Sequence, residues 1–111
     1  MNRRFILKAF SASALTAILP LANAARAATV HEVTIKGFAF TPNALTVQVG
    51  DTIKFTNLDG APHTATARND SFNTGTLRKN KSADIHVTAD MSGEFFCKFH
   101  PNMTGKLTLA S

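Results

Sequence analysis

From residue 33 onward, apolar and polar side chains alternate along most of the chain. Val33 and Ile35 alternate with Thr34 and Lys36, and Leu45, Val47 and Val49 with Thr46 and Gln48. Ile53 and Phe55 are interleaved with Thr52, Lys54 and Thr56, Ile85 and Val87 flank His86, and Leu107 and Leu109 flank Thr108. A period of two with one apolar face predicts half-buried antiparallel strands. The punctuation agrees: Thr41-Pro42-Asn43, Gly50-Asp51 and Gly60-Ala61-Pro62 are turn signals. No stretch of useful length carries a helical period. Five or six short strands closed by a final hairpin predict an all-β Greek-key β-sandwich or barrel. Residues 67–82 are the least regular and are expected to be a long connection, with one short strand around 76–79.

The first 27 residues break this pattern. Arg3, Arg4 and Lys8 precede a modestly apolar run, and Ala22-Asn23-Ala24 and Ala25-Arg26-Ala27 offer small-residue cleavage sites. The run is interrupted by Pro20 and is short for a span of about 20 apolar residues. Residues 1–27 are therefore expected to be a signal peptide, with NRRFILK resembling a twin-arginine pattern. That implies export to a bacterial periplasm and a mature form without a membrane span.

Removing that segment changes the charge argument. The chain of 111 residues is formally +5, from 12 basic and 7 acidic side chains. Arg3, Arg4, Lys8 and Arg26 belong to the leader, so residues 28–111 carry 8 basic and 7 acidic groups, a net of +1. A net charge so close to zero argues against nucleic-acid or anionic-membrane binding. The remaining 84 residues make one small domain, expected to be a monomer, which buries only about 60–65% of its unfolded surface. Exported domains of this size often rely on disulfides, but this one has a single cysteine, Cys97. In an oxidising compartment that thiol must be buried or occupied.

Cys97 lies in GEFFCKFHPNMTG, residues 93–105, with His100 and Met103 following at intervals of three. Phe95, Cys97 and Phe99 share one parity, which predicts a thiol buried between two aromatic rings. Pro101 lacks an N–H and moves His100 away from helical backbone angles. The three soft side chains therefore belong to a strand end and a tight loop rather than to one face of a helix.

Three chemistries compete for such a set. A cysteine hydrolase needs an oriented Cys–His pair and a substrate cleft, for which so small a sandwich has little room. Structural zinc favours paired cysteines, and methionine is a poor zinc ligand. Copper fits best: two histidines and one thiolate in a near-trigonal plane with a long axial methionine make a blue-copper electron-transfer site. The second histidine must come from His31, His63 or His86. His86, between inward-facing Ile85 and Val87, should face solvent. His31 sits near the frayed start of the domain. His63 opens a new alternating stretch after the Gly-Ala-Pro break and is the expected ligand.

These residues resemble the cupredoxins, small blue copper proteins of the plastocyanin, pseudoazurin and amicyanin kind. The resemblance runs through KGFAFTPNALTVQVGDTIKFTNLDGAPHT at 36–64, FNTGTL at 72–77 and GEFFCKFHPNMTGKLTL at 93–109. The C-x-x-H-x-x-M spacing is similar to that of amicyanin. The resemblance implies His63, Cys97 and His100 as equatorial ligands of one type 1 copper ion, Met103 as the axial ligand, and Asn57 in the supporting loop. Thr64 departs from it, since many relatives carry Asn there to brace the cysteine loop.

The function so implied is one-electron transport rather than enzymatic catalysis, with no catalytic residue. Transient redox partner proteins would dock near His100, within an apolar patch of Phe99, Ala61 and Pro62. Lys98, Lys106 and the run Arg78-Lys79-Asn80-Lys81 are read first as solvated edge charge and second as steering groups for an acidic partner. The alternative function is a copper chaperone or storage module without redox cycling. Met91 is read as packing.

Overall fold

The computed structural model describes residues 27–110. The expected leader thus lies, except for its last residue, outside the described residues. Eight strands appear in chain order: β1 (Val30–Lys36), β2 (Ala39–Thr41), β3 (Ala44–Val47), β4 (Thr52–Asn57), β5 (Thr66–Ala67), β6 (Ser82–His86), β7 (Gly93–Cys97) and β8 (His100–Leu109). They form two four-stranded sheets, ordered β2-β1-β4-β6 and β3-β8-β7-β5. The chain changes sheet at every connection between β2 and β7, as a Greek-key sandwich requires.

Alternation predicted the faces well. Val33, Ile35, Ile53 and Phe55 of one sheet and Val47, Phe95, Cys97 and Leu107 of the other are all buried. It misjudged direction and length. β1 pairs with β4, and β3 with β8, in parallel, because the pleat alternates identically in both arrangements. β3 ends at Val47, so Val49 is exposed in the turn that follows. The strand expected at 76–79 is reduced to an isolated bridge between Leu77 and His63, with a second bridge joining Asn73 to Thr66.

Phe40, Phe55, Phe72 and Phe95 form an aromatic cluster between the sheets, with ring centroids 4.9–6.3 Å apart. Most of these pairs are edge-on or tilted, which suits the ring quadrupoles. Phe95 lies opposite Gly105 across the β7–β8 ladder, and a Cβ on Gly105 would collide with its ring. The glycine is the space into which the central phenylalanine fits. Beyond this cluster, the ends of β4 and β7 and the start of β8 meet at one end of the sandwich.

Candidate metal centre

The β7–β8 connection is the first builder of this end. β7 stops at Cys97, Lys98 and Phe99 make a two-residue turn, and His100 pairs directly with Cys97. One step further along the ladder, Phe96 pairs with Thr104, so Pro101, Asn102 and Met103 are extra residues bulged out of β8. Pro101 has no ladder N–H to lose, so the bulge accommodates it. His100 therefore begins the second strand rather than sitting in a loop that resumes at Gly105. The turn also reverses the expectation for Phe99. Parity is lost once β7 ends, and Phe99 is 52% exposed instead of covering the thiol.

The second builder is the loop from Asn57 to His63. Asn57 is fully buried; its Nδ2 donates to the carbonyls of Ala61 (2.9 Å) and Leu77 (2.7 Å), and its Oδ1 accepts the N–H of Asp59 at 2.9 Å. It folds the loop back on itself, the supporting role the family resemblance implied. His63 is then fixed by reciprocal backbone bonds with Leu77.

Three donor atoms converge here. The Sγ of Cys97 stands 3.6 Å from Nδ1 of His63 and 3.6 Å from Nδ1 of His100, and all three atoms lie within 4.8 Å of one another. A first-row ion about 2.0–2.3 Å from each of three trigonal donors needs donor spacings of about 3.5–4 Å. Both sulfur–nitrogen distances already match that spacing. Met103 is buried in the bulge of β8, beside the Cys97–His100 pair.

Polar partners fix the donors' orientation. The ring Nε2 of His63 lies 2.9 Å from Oδ2 of Asp59. A carboxylate only accepts, so Nε2 carries the hydrogen and Nδ1 presents its lone pair toward Cys97. Asp59 is itself held below the usual carboxylate range. The N–H of Phe38 is the main cause, joined by the N–H of Gly37 and by the hydrogen bond from His63, with burial opposing. Gly37 and Phe38 both have positive φ, as a two-residue primed hairpin turn demands. The Phe38 ring stands edge-on to His63 (5.1 Å) and to His100 (4.7 Å).

Thr64 resolves its own departure from the family pattern. Its N–H points at Cys97 Sγ (3.4 Å), and its Oγ1 accepts the N–H of Lys98 at 2.9 Å. A 3.0 Å contact with the Thr66 hydroxyl continues the network to Asn73. The hydroxyl thus braces the cysteine turn.

The other histidines lie elsewhere. His86 is exposed, 3.3 Å from the Thr52 hydroxyl, as expected. His31 is absent from the site for a reason other than fraying: its Nε2 is bonded to Asp51 at 2.9 Å, which anchors the start of β1. Sequence reasoning missed Asp59 and Phe38. Only the placement of Asp59 in a turn four residues before His63 hinted at the first.

A family model described as a cupredoxin-like domain matches residues 9–109. The chain belongs to the cupredoxin family. Among solved structures, this cupredoxin is similar to amicyanin from Paracoccus versutus, at 24% identity over 78% of this chain and 87% of that one, with a TM-score of 0.66. A purple cupredoxin from Nitrosopumilus maritimus is 23% identical over 72% and 99% of the two chains, with a TM-score of 0.65. A copper-containing nitrite reductase from Thermus scotoductus is 26% identical (TM-score 0.64), but this cupredoxin spans only 22% of its length. A search of curated protein sequences found no match. The donor set of a thiol, two imidazoles and a nearby thioether fits one type 1 copper ion.

Proposed function

We propose that this cupredoxin is a small one-electron carrier that works in the bacterial periplasm. The observation that carries the reading is the convergence of His63 Nδ1, Cys97 Sγ and His100 Nδ1 within 4.8 Å of one another, with the His63 ring donating to Asp59 and the Thr64 N–H directed at Cys97. Copper, when bound, supplies a one-electron couple both of whose states a mixed thiolate, imidazole and thioether set accommodates. The chain's contribution is to keep those donors from moving. Asp59 holds the His63 ring, Thr64 holds the turn after Cys97, and Met103, buried in the β8 bulge, would supply the thioether to the bound copper.

Access is one-sided. Cys97 and His63 are fully buried, while His100 is half-buried and is bordered in sequence by exposed Phe99 and Pro101. We assign His100 as the point of electron exchange. Phe99, Pro62 and Phe38 would form an apolar rim for brief contact with a redox partner, the small weak kind of interface that permits turnover. The leader expected over residues 1–27 supports export. Among the described residues no helix is long and apolar enough to cross a membrane. No substrate pocket is required by this reading, and the carrier is not assigned an enzymatic activity.

Voltammetry of the copper-loaded protein tests it. A reversible one-electron wave is expected; copper retained only in the reduced state, with no return wave, would favour a chaperone.

A further inference from the structure

The net charge of +1 conceals a strongly polarised surface. β4 runs toward the metal centre, ending at Asn57, and parallel β1 carries Lys36 to the same end. Arg78, Lys79 and Lys81 are tied there too: the N–H of Asn80 donates to the Asn57 carbonyl, the N–H of Asn57 donates to the Lys81 carbonyl, and Leu77 is bridged to His63. Lys98 follows Cys97 directly. All five cations are exposed, and none has a carboxylate in salt-bridge range among the described residues. The one acid at this end, Asp59, faces inward on the N–H groups of Gly37, Phe38 and His63.

The rest of the domain has the opposite balance. Lys54 is flanked across the sheet by Glu32 and Asp84, Arg68 is bonded to Glu94, and Glu94 also faces Lys106. Asp51, Asp70 and Asp90 complete six carboxylates against three cations. One end therefore has five cations and one enclosed carboxylate, a net of +4, and the remainder a net of −3.

Resting on the electron-carrier reading, we propose that this cationic collar around His100 is a docking surface for an acidic redox protein. The five cations belong to the end of the sandwich that carries the exchange point, so the same encounter that neutralises them brings the partner to His100. A dipole of this kind orients a charged partner before contact and raises its association rate. The proposal takes up the second reading of Arg78–Lys81, as steering groups for an acidic partner, in preference to the first, solvated edge charge.

The test uses the reduced, copper-loaded protein, which is diamagnetic, and two redox-inert probes, hexacyanocobaltate(III) and hexaamminecobalt(III). In amide NMR titrations the trianion is expected to shift Lys36, Arg78–Lys81 and Lys98, and the trication Asp70, Asp84 and Asp90. Trianion shifts spread evenly over the domain, or centred away from His100, would overturn the proposal. Next, hexacyanoferrate(III) takes one electron from the reduced protein and becomes hexacyanoferrate(II). Its rate should fall about tenfold as salt rises from about 10 mM to about 0.5 M. In the double variant Lys79→Glu/Lys81→Glu that dependence should largely vanish with the copper spectrum unchanged. An unchanged dependence in the variant would contradict the collar. Cosedimentation with phosphatidylglycerol vesicles at about 0.1 M salt would transfer the assignment to a membrane and overturn the protein partner. Failure of the carrier reading looks different: the trianion still maps to the collar, but the protein yields no electron to hexacyanoferrate(III) at any salt concentration.

Discussion

Thr64 and Lys98 are joined by a 2.9 Å hydrogen bond, from the backbone N–H of Lys98 to the Thr64 hydroxyl. The bond ties the residue after one ligand, His63, to the residue after another, Cys97. Thr64 serves both sides of the turn, its hydroxyl accepting from Lys98 and its own N–H directed at the cysteine sulfur.

Thr64→Val keeps the shape but removes the acceptor and leaves the Lys98 N–H without a partner. A loss of about 1–3 kcal/mol is expected, while Thr64→Ser should lose less than about 1 kcal/mol. Urea unfolding of the copper-free variants measures both. Equal losses for Val and Ser would show that the hydroxyl is not what braces the turn.

Asp59 gives the domain an acid-sensitive contribution. Its carboxyl is held below the usual range chiefly by the Phe38 N–H, helped by Gly37 and His63. A depressed folded-state value means stability that is fully present above the unfolded value of about 3.9 and is lost as pH falls through the folded value. Asp59→Asn removes this contribution. The stability gap between wild-type and variant copper-free protein is expected to be widest near about pH 5 and to narrow toward about pH 2. A gap that stays constant over that range would contradict the role given to the charge.

Phe38 has a φ of 58° with a bulky side chain, a conformation that costs an ordinary residue about 1–2 kcal/mol. Replacing it by Ala removes the ring but keeps the strain; replacing it by Gly removes both. The Gly variant should therefore be the more stable of the two by about 1 kcal/mol, as thermal unfolding will show. Ala equal to or above Gly would mean that the turn relaxes when the ring is gone.

Gly105→Ala is expected to destabilise the fold by about 1–3 kcal/mol, because the new methyl group meets the Phe95 ring within a close-packed cluster. The double variant Gly105→Ala/Phe95→Leu should be less destabilised than the sum of the single changes. Additive losses would indicate that Phe95 and Gly105 are not in contact.

The residues that proved legible in the sequence are those whose role follows from local pattern. Alternation placed Ile53, Phe55 and Leu107 in the core, and the proximity of Cys97, His100 and Met103 in the chain marked the ligand turn. His63 was reachable because a Gly-Ala-Pro break sets it at a junction. What stayed hidden depends on contacts distant in sequence. Nothing local shows that Asp59 reaches back to Gly37 and Phe38, or that Phe38 packs on both histidine rings. Strand direction was invisible because side chains alternate in the same way in parallel and antiparallel pairs. Phe99 was placed inward because parity was carried one turn too far. The charge polarity needed the register itself, since Arg78–Lys81 and Lys98 come to one end of the sandwich only in the folded chain.

The most direct measurement is the visible absorption spectrum of the Cu(II)-loaded protein beside its Cys97→Ser variant. An intense blue thiolate-to-copper band is expected, bleached by reductant, restored by oxidant and abolished in the variant. A wild-type protein that binds copper yet stays colourless, or a Cys97→Ser variant that keeps the band, would contradict the type 1 centre built on His63, Cys97, His100 and Met103.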